Sequence, residues 1–181
     1  MTLTIGTDRP SWSPGQEVVI NVAVANSGAG HKLPTGSADL RQMWLAVDTQ
    51  VGGRVIPITA TPAAGSDAFD VAGKGKFDSE ILGADIPKGS RVYRTVFLDA
   101  RNQQTLRSYE ATRIVFDNRL EPSETRKETY RFVVPATASG KIVLRAGVNY
   151  LSYPSSFAAR LGLPPPKHVE IASTSRVVAI R

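Results

Sequence analysis

The fold is decided by a segment near the amino terminus that reads Glu17-Val18-Val19-Ile20-Asn21-Val22-Ala23-Val24-Ala25. Apolar side chains recur in it at every second position, which is the period of a β-strand that buries one face. We therefore expect the side chains of Val18, Ile20, Val22 and Val24 to point into a core.

The same strand signals return along the rest of the chain. Strands are predicted near residues 2–5, 17–25, 43–47, 55–58, 91–98, 114–116, 130–134, 142–150 and 169–180. Roughly eight or nine short strands with frequent turn signals are typical of a β-sandwich. We predict an all-β fold, a single antiparallel Ig-like sandwich domain over residues 1–181.

Two segments depart from the strand pattern. Pro154 to Leu163 predicts one short helix, with Phe157, Ala158 and Leu161 on one face and Gly162 at its end. Residues 59–90 show poor periodicity and are too long for a simple loop, so short strands or a packed excursion are expected there.

Composition excludes several classes of protein. The 181 residues carry a net charge of +6 but no clustered basic run, so no nucleic-acid partner is expected. No apolar stretch is long enough to span a membrane. Because the chain has no cysteine, it can form neither a disulfide nor a covalent c-type haem attachment of its own. Met1 runs directly into a strand-like segment, so we expect a domain excised from a longer chain.

The sequence does not predict an enzyme. Gly28-Ala29-Gly30 lacks the third glycine of a dinucleotide-binding loop and leaves a strand without opening a helix. The two histidines, His31 and His168, do not lie beside a nucleophile elbow. His168 follows three prolines with no motif around it and is interpreted as a surface residue.

Acidic loop residues leave a calcium site open as an alternative. One set is Asp67, Asp70 and Asp78, and another is Asp117, Asn118 and Glu121. Neither set has the alternating spacing of a dedicated calcium loop, so capping and turn roles are favoured.

The loop after the strand at 17–25 is the main functional candidate. It reads Asn26-Ser27-Gly28-Ala29-Gly30-His31-Lys32-Leu33-Pro34-Thr35-Gly36. Glycines that can take positive φ and a proline that fixes its own φ predict a stiff loop that holds the His31 imidazole in one direction. The histidine could instead be merely solvated, or could bond a backbone carbonyl.

This loop resembles the Gly-His-x-x-Pro-Thr-Gly loop in the carboxy-terminal β-domain of a family of bacterial multihaem c-type cytochromes. Further segments resemble the family in the same order, over about residues 17–172. They are Met43-Trp44-Leu45, Val92-Tyr93-Arg94, Asp99-Ala100-Arg101-Asn102, Phe116-Asp117-Asn118-Arg119-Leu120 with Pro122, Thr129 to Pro135, and Tyr150 to Gly162. The His31 loop and the Phe116–Leu120 corner are the more specific of these.

The resemblance implies a non-catalytic domain in electron transfer that packs against a haem-bearing domain or subunit. His31 would be an axial ligand to the iron of a haem c of the parent protein or partner, with Lys32, Leu33 and Thr35 around the haem. The family carries Cys-x-x-Cys-His sites upstream, and this chain has none. The implied location is periplasmic, cell-surface or extracellular.

A second class of function remains open from the sequence. A β-sandwich with exposed aromatic side chains can be a cell-surface or carbohydrate-binding module with no haem connection. The candidate platform residues are Trp12, Tyr109, Tyr150 and Tyr153, and Trp12 could equally anchor the end of the sandwich. A row of exposed rings would favour this interpretation, and an exposed His31 would favour haem docking.

Overall fold

The computed structural model of the chain describes residues 1–78, 82 and 85–181. Its strands are β1 (Thr2–Thr7), β2 (Ser11–Trp12), β3 (Glu17–Ala25), β4 (Gln42–Val51), β5 (Arg54–Ile58), β6 (Arg91–Tyr93), β7 (Thr95–Leu98), β8 (Gln104–Thr105), β9 (Arg113–Asp117), β10 (Thr125–Val133), β11 (Lys141–Leu151) and β12 (Val169–Ile180). Helix α1 spans Ser155–Arg160, and a short 3-10 helix spans Ser108–Glu110.

Two sheets form the sandwich. The first has the order β1-β3-β10, and the second has the order β2-β12-β11-β4-β5, with β6 also paired to β4. This order corresponds to strands A-B-E facing strands G-F-C of an immunoglobulin domain. The short β2 joins β12 in parallel, and the other pairings of both sheets are antiparallel. The predicted all-β sandwich is confirmed.

The main core lies between these sheets and follows the predicted alternation. Val18, Ile20, Val22 and Val24 of β3 are fully buried. They pack in one cluster with inward side chains of β4 and β11 such as Leu45. Burying each side chain of this size contributes about 1.5–3 kcal/mol to stability.

The second sheet is covered on its outer face as well. Trp44 and Val92 form a second core there with Leu82, Ile86 and Leu151. The cover comes from the irregular segment, which makes a packed excursion in its described part; residues 79–81 and 83–84 of the predicted irregular segment lie outside the described residues. Because the first half of β4, Gln42 to Leu45, is buried on both faces, it lacks the alternating burial of a surface strand.

A buried ion cluster ties the excursion to the sandwich. Arg91 is 3% exposed and pairs with Asp70 of the excursion, and its Nε lies 2.7 Å from Oε2 of Glu128 on β10. The Asp70 carboxylate also accepts hydrogen bonds from the Ser66 hydroxyl and the Ala63 N–H. Removal of one partner from such a cluster leaves a buried charge without compensation.

The predicted strand at 91–98 is divided in the structure. β6 pairs with β4, whereas β7 belongs to a third sheet of order β8-β7-β9. The division falls at Arg94, whose N–H donates to Asn118 Oδ1 at 2.8 Å instead of to a neighbouring strand. The chain therefore leaves the sandwich at this residue and builds a separate small sheet.

The predicted helix is present as α1. Pro154 precedes its first residue, and Gly162 follows with φ of +64°. On the predicted apolar face, Ala158 is buried, but Leu161 is 57% exposed because the helix ends before it. Over the described residues, no helix is long and apolar enough to cross a membrane.

Candidate functional site: the His31 loop

The His31 loop is paired with the corner that follows β9. Leu33 and Leu120 form an isolated antiparallel bridge, and each donates its N–H to the other's carbonyl oxygen at 2.9 Å. The two sequence segments that carry the specific part of the family resemblance therefore meet in space. They lie about ninety residues apart in the chain, so only the fold brings them together.

Asn26 is the centre of this contact and is only 1% exposed. Its Nδ2 donates to the carbonyl oxygens of His31 at 2.9 Å and Glu121 at 3.0 Å, and Leu120 O lies at 3.4 Å. Its Oδ1 accepts a hydrogen bond from the Ala29 N–H at 3.2 Å. One buried amide thus fixes both the loop and the corner.

The conformation of the loop does not depend mainly on its glycines, although the sequence suggested that it would. Of its three glycines, Gly36 alone has a positive φ, at +76°. Gly28 and Gly30 have no atoms near the position of a Cβ, so neither is required for close packing. Hydrogen bonds from Asn26 and the Leu33–Leu120 bridge hold the loop, together with Pro34, which is buried.

His31 is exposed on this fixed backbone. Its Nδ1 lies 3.1 Å from the carbonyl oxygen of Lys32. Because a carbonyl oxygen can only accept, this contact requires the proton on Nδ1 and leaves the lone pair of the neutral ring on Nε2. No hydrogen bond engages Nε2 within the described part of the chain. Histidines that bind metals commonly donate their other ring N–H to a carbonyl or carboxylate in this way.

The neighbours of His31 have separate roles. Lys32 Nζ lies 2.7 Å from Glu121 Oε1 and 3.6 Å from Asp117 Oδ2, so its charge is already paired. Leu33 is partly buried and packs against the main core. Thr35 is exposed. Of the four predicted site residues, His31 and Thr35 are exposed, and Lys32 and Leu33 are partly buried.

The charges of the corner are mutually compensated. Arg119 donates two hydrogen bonds to the Asp117 carboxylate, at 2.9 and 2.7 Å. Burial by itself would raise the pKa of Asp117, but the bonds from Arg119 and the charge of Lys32 outweigh it, and the pKa is lowered. The hydrogen bond to Glu121, reinforced by Asp117, raises the pKa of Lys32. The Asp117 carboxylate therefore remains ionised at neutral pH.

The alternative sites of the sequence are not assembled. Asp70 pairs with Arg91, Asp67 with Lys76 and Asp117 with Arg119, and over the described residues no group of three or more His, Cys, Asp or Glu could hold a metal ion. Trp12 is 1% exposed and packs near Phe132 in the main core, so of its two predicted roles the structure supports the anchor of the sandwich and not the aromatic platform. Tyr150 and Tyr153 are partly buried, and Tyr109 is 81% exposed.

Sequence reasoning missed a groove on the outer face of the second sheet. Its volume is about 450 Å³, and its lining includes Trp44, Asp48, Arg145, Asn149 and His168. The His168 ring stacks on Trp44 with centroids 5.4 Å apart, and its Nε2 lies 2.7 Å from Asn149 Oδ1. Asn149 lies at a β-bulge in the pairing of β11 with β12. No pattern of residues in the sequence predicted this bulge.

The largest pKa shifts lie away from both histidines. Burial raises the pKa of Tyr93 and of Tyr130, and it lowers the pKa of Arg94 to about 10, partly offset by Asp78. All three side chains are in the interior and line neither the His31 loop nor the groove. Their shifts reflect interior packing.

Comparison with known proteins concerns the fold. No family model matches the chain, and no curated protein matches it. A penta-haem cytochrome c552 from Thermochromatium tepidum superposes with a TM-score of 0.61 and 19% identity, over 97% of this chain and 38% of that chain. Spo0M, a sporulation control protein from Bacillus subtilis, gives a TM-score of 0.36 and 9% identity, over 98% of this chain and 48% of that chain. The second is too distant to carry an argument. The chain thus has the fold of a part of the cytochrome that spans 38% of its length.

Proposed function

We propose that this chain is a non-catalytic β-sandwich domain of a multihaem c-type cytochrome, and that it supplies His31 as an axial ligand to a haem of the haem-bearing domain or subunit. The haem, when bound, supplies the electron-transfer chemistry. The part of this chain is to fix a ligand nitrogen and to pack against the haem-bearing partner.

One observation carries the proposal. The His31 loop is fixed through its backbone, by Asn26 and by the Leu33–Leu120 bridge, while Nε2 of the exposed ring has no partner within the described residues. The contact of Nδ1 with Lys32 O sets the tautomer that a metal ligand needs. Neutral imidazole is a common axial ligand of haem iron, so the donor fits the group.

Two further observations support a haem partner. The chain has no cysteine, so a c-type haem near His31 must be attached to a different part of the parent protein or to another subunit. The fold likeness to part of a penta-haem cytochrome supports the same placement. Because c-type haems are attached after export, we place the protein in the periplasm or at the cell surface.

A short haem c peptide tests the ligand directly. Such a peptide carries one histidine ligand and an open sixth position on the iron. Titration with the wild-type chain should convert its visible spectrum from high-spin to low-spin. His31→Ala should abolish the conversion, whereas His168→Ala, which removes the other histidine of the chain, should leave it intact.

The same pair of variants applies to the parent complex. There His31→Met should convert one bis-histidine haem to the spectrum of a His/Met haem and raise its potential. If His31→Ala binds the haem peptide as well as the wild type, or if His168→Ala abolishes binding instead, His31 is not the ligand. If every haem of the parent complex keeps its spectrum in the His31→Met variant, the proposed role is wrong.

A further inference from the structure

The two lateral sides of the sandwich are closed to different extents. On the side of β10 and β5, Ala60 bridges to Tyr130, and the Thr61 N–H donates to Thr129 O at 2.9 Å. On the opposite side, β1 and β12 are the edges of their sheets, and β2 covers only residues 179 and 180 of β12. No strand of the described chain pairs with the rest of the outer edge of β12, and β1 of the other sheet lies beside it.

The hydrogen bonds at the end of β12 show which backbone groups face this outer edge. The Ile180 N–H donates to Gly140 O, towards β11, and the Arg181 N–H donates to Trp12 O, towards β2. Since N–H groups alternate sides along a strand, those of the odd-numbered residues point away from β11. Ser173, Ser175 and Val177 thus present N–H and C=O groups that no strand of the described chain pairs.

This edge lacks the usual protection against pairing. Natural edge strands commonly carry charges, prolines or covering segments. Between residues 172 and 178, Arg176 is the one charged residue. Its Nη1 donates a hydrogen bond to Ile5 O of β1 at 3.0 Å. The neighbouring edge strand β1 has no charged residue at all. Val177 is 59% exposed on the outer face of the sheet.

We propose that β12 is a self-association edge, at which two copies of the chain pair antiparallel about a two-fold axis at Ser175. This register places Ser173 opposite Val177 and Ser175 opposite itself, so every unpaired group of the three odd residues finds a partner. Arg176 falls opposite Thr174 of the second copy, so no like charges meet across the axis. An isologous contact of this kind closes at a dimer.

The pairing is weak, and its salt dependence is distinctive. Three hydrogen-bonded residue pairs bury little surface, and two copies of net charge +6 repel each other. Salt screens this repulsion without weakening backbone hydrogen bonds between uncharged residues. The dimer fraction should therefore rise with ionic strength, the reverse of an association driven by ion pairs.

Analytical ultracentrifugation of the isolated chain at increasing concentration tests the proposal. Ser175→Lys puts two like charges opposite each other on the axis and should shift the chain to monomer. Val55→Lys adds the same charge at the far edge of the same sheet and should leave the dimer unchanged, since Val55 is exposed on β5. A mixture of Ser175→Lys with Ser175→Glu should restore dimer.

A second measurement does not depend on a substitution. The amides of Ser173, Ser175 and Val177 should exchange more slowly with deuterium as the concentration of the wild-type chain rises. A monomer at all concentrations, assembly beyond a dimer, a dimer that dissociates with added salt, or equal behaviour of Ser175→Lys and Val55→Lys would each overturn the proposal. Haem binding is not involved, so these outcomes are independent of the role of His31.

Discussion

The two histidines of the chain are both exposed, but they are held in opposite ways. At His31 the backbone is fixed by the Asn26 amide and by the pairing of Leu33 with Leu120, and the ring makes one hydrogen bond within the described residues, to the carbonyl oxygen of Lys32. At His168 the ring itself is fixed, by stacking on Trp44 and by the bond of Nε2 to Asn149.

The difference decides which nitrogen is available. Asn149 Nδ2 donates to Gly147 O, so its Oδ1 must accept the proton of His168 Nε2, and the outer nitrogen of that ring is occupied. In His31, Nδ1 is occupied by the contact with Lys32 O, and Nε2 has no hydrogen-bond partner within the described residues. A histidine is preorganised to bind a ligand when its loop is rigid and its Nε2 has no hydrogen-bond partner.

The largest effect that separates the two sites is expected from Trp44→Ala. Trp44 is 2% exposed in the second core, so the cavity should cost about 3–5 kcal/mol in the free energy of unfolding. His168 also loses its stacking partner. Urea denaturation gives the stability, and imidazole proton resonances report the rings; those of His168 should shift and those of His31 should stay.

Trp44→Phe is the matched control for this prediction. It keeps an aromatic ring in the second core and should cost much less than Trp44→Ala. A shift of the His31 resonances in Trp44→Ala would contradict the independence of the two sites, as would equal costs for the two variants.

A smaller effect, confined to the other site, is expected from Asn26→Ala. The change removes the donor to His31 O and Glu121 O and the acceptor of the Ala29 N–H, which should cost about 2–3 kcal/mol. Amide exchange at Ala29 and Leu33 should accelerate, because the loop loses its brace. Binding of the haem peptide should weaken even though His31 is intact.

Asn149→Ala is the counterpart of this change at the second site. It removes the bonds to Gly147 O and to His168, and we expect about 1 kcal/mol of destabilisation because the ring remains stacked on Trp44. Exchange in the His31 loop should be unchanged. If Asn26→Ala left the loop amides as protected as in the wild type, the loop would owe its rigidity to another contact.

The smallest expected effects concern the pH dependence of the free energy of unfolding. The contributions of the two sites to it should have opposite signs. Burial raises the pKa of Asp48 in the His168 groove, with partial compensation by Arg145, so its ionised form disfavours the fold. That penalty is absent below the ordinary pKa of 3.8 and develops as the pH rises above it. Asp48→Asn should therefore stabilise the chain at pH 7, by a few tenths of a kcal/mol at this partly exposed position, and have no such effect in acid.

At the His31 corner the sign is reversed. The pKa of Asp117 is lowered on balance, so its contribution to stability is present above pH 3.8 and is lost as the pH falls through the lowered value. Asp117→Asn should thus destabilise the chain at neutral pH and lose that effect in acid. Urea denaturation of both variants at pH 7 and in acid checks the signs; a shared sign would contradict the assignment of the two environments.

Much of the architecture follows from local pattern. The alternation in β3 and β11 fixes which side chains are buried, because a strand turns successive residues to opposite faces. Pro154 and Gly162 bound α1 through their own backbone preferences. The loop around His31 was also identifiable, since its residue types and its family resemblance are properties of one short segment.

What the sequence alone determined about this protein is therefore its sandwich, its helix and the loop that carries His31. Only the tertiary structure decided that Leu33 pairs with Leu120, that Asn26 braces the loop, and that Arg91 joins Asp70 to Glu128. Only the tertiary structure, too, divided the strand at Arg94 and placed His168 on Trp44. The reason is physical: burial of an apolar face is a local periodicity, whereas a buried polar group depends on a partner that the folded chain brings from far along the sequence.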